Sequence, residues 1–386
     1  MLEKRLLKNI LSKWNYGDFK LVFWDGEEVS VGKNPPKFSL VVKEKIPLFA
    51  LFNDTSLVIA KHYMEGKLEI YGDYDEIARV LYYFSNKKYL KNKNDISSKI
   101  TQKQESENIK SHYDLGNDFY KLWLDETMSY SCAYFKKPDD SLYQAQINKI
   151  KHTLKKLDLK PGENLLDIGC GWGWLSIMAA QKYGVKVVGV TISEEQCKKA
   201  TQRVRELGLE HQIEIKLENY QDMQYENHFD KVVSVGMFEH VGKENLGLYF
   251  MKVKQALKPG GSFLLHSILA MFEGKTNAWI DRYIFPGGYL PSLREVVSTM
   301  SEWDFHLLLA ESLRIHYAKT LDMWAKNFDA HIEEVRKMYD EQFVRMWGLY
   351  LRSCASAFRV GNIDLFQFLM TKEINNTLSN TFINLN

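Results

Sequence analysis

The chain has 386 residues, 45% hydrophobic and 26% charged, which excludes disorder, a collagen-like repeat and a small disulfide scaffold. Its 51 Lys+Arg against 49 Asp+Glu leave a net charge of +2, too small a basic excess for a dedicated nucleic-acid binder. The one unusual figure is an aromatic content of 13%.

The N-terminal helix, the linker and the cysteines bound the class further. Leu2, Leu6, Ile10 and Trp14 recur at helical spacing, with Lys4, Arg5, Lys8 and Lys13 around the wheel. Two readings are open: a basic helix lying on an anionic bilayer, or a surface helix packing its apolar stripe on a core. The same residues are too charged, and lack a small-residue cleavage site, for a signal peptide. No segment has the roughly 18 uncharged apolar residues of a spanning helix. The polar stretch 91–107 holds only Ile96 and Ile100 as aliphatics and reads as a linker between a domain at 1–90 and a larger one at 108–386. Residues 1–110 carry 19 Lys+Arg and 15 Asp+Glu, a net +4, which leaves −2 for the remainder. Cys132, Cys170, Cys197 and Cys354 form no CxxC pair, so no metal site or disulfide is expected and a cytoplasmic location is the default.

The larger part alternates strand and helix patterns. Strands are predicted at 164–168, 186–190, 211–217, 231–235 and 262–266. Helices are predicted at 175–182, 194–207 and 246–257, with Gly184, Gly208 and Gly260-Gly261 as C-cap glycines. That order predicts an α/β fold with a parallel, Rossmann-like sheet covered by helices on both faces. Beyond Leu269 the chain reads as helix-rich, with strong periodicity over 324–348 and 349–358.

Asp167-Ile168-Gly169-Cys170-Gly171-Trp172-Gly173 follows the first of these strands. Glycines there let backbone approach a ligand at the carboxyl end of the sheet. The third glycine comes after two residues rather than three, and the second strand ends in Val190-Thr191 rather than in an acidic residue. Both details depart from the dinucleotide fingerprint and favour S-adenosylmethionine over NAD.

Further motifs share this part of the chain: His112-Tyr113-Asp114-Leu115-Gly116-Asn117-Asp118, Tyr130-Ser131-Cys132-Ala133-Tyr134-Phe135, Gly189–Ser193 with Gln196, Val235–Gly242, Tyr283–Gly288 and Arg345-Met346-Trp347. In this set and order the chain resembles the cyclopropane-fatty-acyl-phospholipid synthase family, which includes the mycolic acid cyclopropane synthases. The resemblance is dense over about 108–370 and weak before it. It implies a seven-stranded class I methyltransferase sheet with helical lid insertions and a small N-terminal α+β domain. It also implies transfer of a methylene from S-adenosylmethionine across a cis double bond of a phospholipid acyl chain.

The resemblance implies that Tyr130, Ser131, Gly169 and Gly171 contact the methionine part of the cofactor, with Asp167 in the same turn. Thr191, Ile192 and Gln196 would surround the ribose, and Asn219 and Tyr220 the adenine. It further implies a bound bicarbonate ion as base, held by Glu239, His266, Tyr317 and the backbone at Cys132 and Ile268. Cys354 is expected either to line the site or to be a buried structural cysteine. His240 is expected to hold a loop beside Glu239. Aromatic faces from Tyr134, Phe135, Phe238, Phe285 and Tyr317 suit a transient carbocation. The expected partners are unsaturated membrane phospholipids, met peripherally at the inner face of the membrane. The family's phospholipid enzymes are often homodimers, although no pattern here marks an interface. Two other functions remain open: methyl transfer without ring closure, and lipid binding without catalysis.

Overall fold

A computed structural model describes residues 2–14, 16–46, 54–89 and 115–376. The predicted linker 91–107 and the motif residues His112, Tyr113 and Asp114 lie outside the described residues.

The chain divides into two compact units, and neither is a simple stretch of sequence. The first joins 1–97 with 274–284 and 321–362, whereas the second holds 98–273, 285–320 and 363–386. The first unit thus draws in two segments from well beyond the expected division at 91–107.

The first unit contains a sheet in the order β2-β1-β3-β4. Its strands are β1 (Phe19–Val22), β2 (Glu28–Val31), β3 (Phe38–Val42) and β4 (Leu68–Gly72). Helix α1 (Leu2–Ser12) precedes them, and α2 (Thr55–Met64) and α3 (Tyr74–Tyr89) flank β4. Leu7, Leu11, Trp14 and Trp24 pack against the cores built on Phe23, Leu68, Phe19 and Val80. Lys4 pairs with Asp25 and Glu27 at 2.5 Å, and Lys8 pairs with Glu27. Leu7, Leu11 and Trp14 thus pack on protein while Leu6 stays exposed, and two lysines of the helix face the acidic β1–β2 turn. Trp14 and Trp24 are partly buried against the same cores.

The second unit is built on a sheet in the order β10-β11-β9-β8-β5-β6-β7. Strands β5 (Asn164–Ile168), β6 (Lys186–Thr191), β7 (Ile213–Leu217), β8 (Phe229–Val235) and β9 (Leu257–Ala270) run parallel. β11 (Ile363–Lys372) is antiparallel to β9, and β10 (Phe305–Ser312) is antiparallel to β11. The sheet has the seven strands that the resemblance implies. β10 and β11 do not stand out in the helix-rich reading of the sequence beyond Leu269. β11 inserts beside β9, about a hundred residues earlier in the chain, and is recognisable only through that pairing. β9 is longer than its apolar run, and Gly260 and Gly261 lie inside it rather than capping a helix.

The helices of this unit are α4 (Asn117–Lys121), α5 (Leu142–Leu157), α6 (Trp174–Tyr183), α7 (Glu194–Glu206), α8 (Leu246–Ala256) and α10 (Leu293–Glu302). Gly184 caps α6 in the left-handed region, as expected. Two apolar cores lie on the sheet: one includes Phe229, Phe238, Tyr249, Phe250 and Phe263, and the other Ile150, Leu165, Val187 and Val233. Aromatic edge-to-face contacts such as Phe238–Phe250 at 5.8 Å account for part of the high aromatic content.

The helix-rich remainder comprises α9 (Ala278–Tyr283), α11 (Arg314–Ala330), α12 (Ile332–Met338) and α13 (Glu341–Val360). The periodic run 324–348 is broken at Tyr339-Asp340, where Asp340 caps the next helix by accepting from Phe343 N–H at 2.8 Å. Within the first unit Arg345 fastens α13 to α2 and β4, donating to Tyr63 O (2.5 Å), Leu68 O (3.1 Å) and Glu69 (2.9 Å). That explains the Arg in the Arg345-Met346-Trp347 motif structurally.

Candidate active site

A cleft enclosing about 1070 Å³ with its open mouth lies at the carboxyl ends of β5, β6, β7 and β8. This is where open α/β sheets take ligands. Its lining includes every residue expected around the cofactor: Tyr130, Ser131, Asp167, Gly169, Gly171, Thr191, Ile192, Gln196, Asn219 and Tyr220.

The glycine turn is shaped by two different needs. Gly169 and Gly171 both have positive φ, 80° and 56°. A Cβ on Gly169 would stand 2.8 Å from Met237 Cβ, so this glycine allows the β8 loop to approach. A Cβ on Gly171 would meet nothing within 4 Å, so its backbone faces the open cleft. The turn is held from both sides. Asn117 of α4 accepts from Trp172 Nε1 at 2.7 Å and donates to Glu195 of α7 at 3.3 Å. Arg203 donates to Trp172 O and Thr127 O, each at 3.1 Å.

Asp167 is fully buried and accepts from Ser176 Oγ at 2.7 Å; burial pushes its carboxyl up to about 6. The Thr191 hydroxyl donates to Gln196 Oε1 at 3.0 Å, which turns the Gln196 amide nitrogen the other way. Asn219 Oδ1 accepts from Gln221 N–H at 2.9 Å, an Asx turn that fixes its side chain. Tyr220 is a buried core aromatic, edge-on to Tyr249 at 5.3 Å, as well as a cleft residue.

Lys149, Glu218 and His240 are among the lining residues that the sequence reading does not assign to the cofactor. Lys149 is 3% exposed and donates to Ser131 Oγ at 3.0 Å; burial pushes its ammonium down to about 8. It belongs to a polar seam along α5 (Gln146, Lys149, Thr153, Lys156) whose members are all buried. That seam has helical spacing, but polar residues at helical spacing ordinarily mark a solvent face. Glu218 follows β7, and His240, expected only to hold a loop, also borders the cleft. Burial holds the His240 ring neutral, pushed down to about 4.

The residues expected to serve a base are placed differently. Glu239, His266, Ile268, Cys132, Tyr317 and Cys354 are not among the lining residues of the cleft. Glu239 lies in a short 3-10 turn just after β8. Its Oε1 accepts from Ile268 N–H at 2.7 Å, continuing the β9 ladder where β8 has ended. The Ile268 N–H is thus engaged by Glu239. The Glu239 main-chain oxygen accepts from Tyr289 N–H at 2.9 Å, next to the Phe285–Gly288 motif. Burial pushes the Glu239 carboxyl up to about 7, and its Oε2 is buried with no hydrogen-bond partner.

His266 is on β9, two residues before Ile268 and on the same face of the strand. Its Nδ1 lies 3.0 Å from Gln367 Nε2, and its Nε2 is buried without a partner. Burial, with Lys149, Lys156 and His152 nearby, holds the ring well below its ordinary pKa. Tyr317 is buried in the first turn of α11, and Cys132 is fully buried, which pushes its thiol up and makes it no nucleophile. Cys354 lies on α13 in the first unit, its thiol pushed up to about 12 by burial. The Tyr134 ring stacks on His152 at 4.2 Å and on His316 at 4.6 Å.

Comparisons with known proteins agree with this fold. Residues 100–368 match the family model described as mycolic acid cyclopropane synthetase, and residues 6–94 match a domain of unknown function, DUF7884. The chain is 40% identical over 361 residues to a probable fatty acid methyltransferase of Pseudomonas putida, covering 92% of this chain and 91% of that one. It is 45% identical over 270 residues to the cyclopropane-fatty-acyl-phospholipid synthase of Escherichia coli K12, covering 70% and 69%. Among solved structures, mycolic acid cyclopropane synthase CmaA1 complexed with SAH and CTAB superposes with a TM-score of 0.65 at 37% identity, covering 69% of this chain and 98% of that one.

Proposed function

Because the chain belongs to the mycolic acid cyclopropane synthetase family, we propose that it transfers a methylene group from S-adenosylmethionine across a cis double bond of a phospholipid acyl chain, forming a cyclopropane ring. The cofactor supplies an electrophilic sulfonium methyl. The Gly169–Gly171 backbone, Tyr130, Ser131 and Asp167 hold its methionine part, Thr191, Ile192 and Gln196 its ribose, and Asn219 and Tyr220 its adenine. The related CmaA1 was solved with SAH, which supports a cofactor of this class.

Methyl transfer to an alkene leaves a carbocation, and ring closure requires loss of a proton from the new methyl. The observation that carries the reading is a pair of buried polar atoms without protein partners, Glu239 Oε2 and His266 Nε2. An acceptor and a donor left open in an apolar interior cost free energy unless a polar guest satisfies them. Bicarbonate, with one hydroxyl and two acceptor oxygens, fits that donor set and would supply a base that is not itself methylated. Glu239 would accept its hydroxyl, while His266 and Tyr317 would donate, with the backbone of Cys132 and Ile268 close by.

We place the enzyme in the cytoplasm, peripheral at the inner membrane face, where its acyl substrates are, with lipid docking assigned to residues 1–90 and a homodimer as its assembly. Among the described residues no helix is long and apolar enough to cross a membrane. Loss of binding to anionic vesicles on deleting residues 1–90 supports the docking role; unchanged binding overturns it.

The match to a probable fatty acid methyltransferase over 92% of the chain favours a second reading, methyl transfer without ring closure. The two products each gain one CH2 and have the same mass, so lipids from an expressing host are treated with ozone before mass spectrometry. A cyclopropane chain survives intact, whereas cleavage of the methylated product at a retained double bond overturns the cyclopropane reading.

A further inference from the structure

His266 sits at the end of a buried polar chain whose hydrogen-bond directions can be worked out from its other end. Glu311 on β10 accepts from His152 Nε2 at 2.7 Å and from Lys156 Nζ. Partial burial works against its charge, but these two partners pull its carboxyl down to about 2. An ionised Glu311 keeps Lys156 an ammonium, which has three donors and no acceptor.

Lys156 Nζ also lies 2.5 Å from the side-chain amide of Gln367 on β11. Only the amide oxygen can face an ammonium, so the Gln367 orientation is fixed. Its NH2 group then points to Thr153 Oγ1 at 3.1 Å and to His266 Nδ1 at 3.0 Å. A nitrogen that receives an amide N–H must be the acceptor nitrogen of a neutral ring, so the His266 proton resides on Nε2.

We infer that Gln367, oriented by Lys156, locks His266 as its neutral Nε2–H tautomer, so that His266 serves the reaction as a hydrogen-bond donor and not as the proton acceptor. Gln367 and Lys156 are positioning residues in this scheme: both are buried, and each acts through the next side chain. The inference rests on the proposed function for the use to which the donor is put. The tautomer itself follows from the chain Glu311–Lys156–Gln367–His266 alone.

The test uses the full-length protein labelled with 15N-histidine, with the His266 signals assigned by their absence in His266→Asn. Long-range 1H–15N correlation in the unsubstituted protein should show an unprotonated Nδ1 and a protonated Nε2. A protonated Nδ1 overturns the lock without reference to any product. In Gln367→Glu the new carboxylate accepts from both neighbours, so the His266 proton should move to Nδ1. Cyclopropane formation should fall about 10- to 100-fold, as is typical when a partner orienting a reactive group is altered, with affinity for SAH unchanged. A shifted proton with unaltered turnover overturns the claim that the donor serves the reaction. A protein that yields no ring product at all, yet shows the Nε2–H signature, overturns the proposed function and leaves the lock standing.

Discussion

Glu239→Gln separates the two things that this carboxyl does. The amide keeps an oxygen to accept from Ile268 N–H, so the β9 ladder is preserved, but it carries no titratable proton. In the folded protein burial pushes the carboxyl from 4.5 to about 7. A group whose pKa rises on folding stabilises the fold in its protonated form. That contribution is complete below pH 4.5 and is lost as the pH rises through about 7. At about 1.4 kcal/mol per pH unit the whole effect is about 3 kcal/mol, of which roughly 2–3 kcal/mol falls between pH 5 and pH 8. Every other ionisable group is common to the two proteins and cancels in their difference. Urea unfolding in bicarbonate-free buffer should therefore show the parent losing about 2–3 kcal/mol relative to Glu239→Gln over that range. A difference that does not change with pH refutes the picture of a desolvated carboxyl. In the same variant SAH affinity should persist, since Glu239 is not among the cleft's lining residues. Turnover should drop on the order of 100-fold or more. Turnover near that of the parent refutes the role assigned to the open Oε2.

Other substitutions probe the cleft and its supports. Lys149 loses its proton through about pH 8. Affinity for SAH, whose amino acid end carries a carboxylate, should thus weaken from pH 7 to pH 8.5 more steeply in the parent than in Lys149→Met by calorimetry. Gly171→Ala places a methyl in open space and should cost only the strain of positive φ, about 1 kcal/mol. Gly169→Ala adds a 2.8 Å collision with Met237 and should lower the thermal midpoint further; equal midpoints would contradict the geometry. Arg345→Ala strips hydrogen bonds from Tyr63 O and Leu68 O and should destabilise the first unit by about 2 kcal/mol. Hydrogen exchange should then speed up in α2 and β4 while β5–β8 stay protected; uniform acceleration would contradict a local role.

The parts of the site legible in the sequence are the glycine turn, where spacing marks Gly169 and Gly171, and the positions that the family resemblance implies. Of the latter, Thr191 and Gln196 lie at the end of β6 and the start of α7, which Ser193 caps by accepting from Gln196 N–H. Asn219 and Tyr220 lie just after β7. What the sequence hides are contacts between distant positions. Lys156 reads as one more lysine on an amphipathic helix, because its partners Glu311 and Gln367 lie 155 and 211 residues away. Gln367 likewise makes Ile363–Lys372 look less like a central strand, although it is fully buried there. At the N-terminus Lys4 and Lys8 give α1 the look of a membrane-surface helix, and long-range pairing with Asp25 and Glu27 on the neighbouring hairpin is what the sequence pattern does not reveal.

The α5 seam also explains why polar groups are tolerated in this interior. Replacing any one member leaves others without partners, which is where buried polar networks become costly. Gln146 donates to Ser129 O and Ser131 O, and Lys149 donates to Ser131 Oγ, so the first half of the seam shapes the Tyr130-Ser131 wall of the cleft. Thr153 and Lys156, one and two turns further along, meet Gln367 and through it His266. A single helix face thereby holds both the cleft wall proposed for the cofactor and the histidine proposed to serve the reaction. Their relative placement is set by the rigid rise of α5 rather than by loops, a geometry suited to keeping a sulfonium methyl and its accepting site in register.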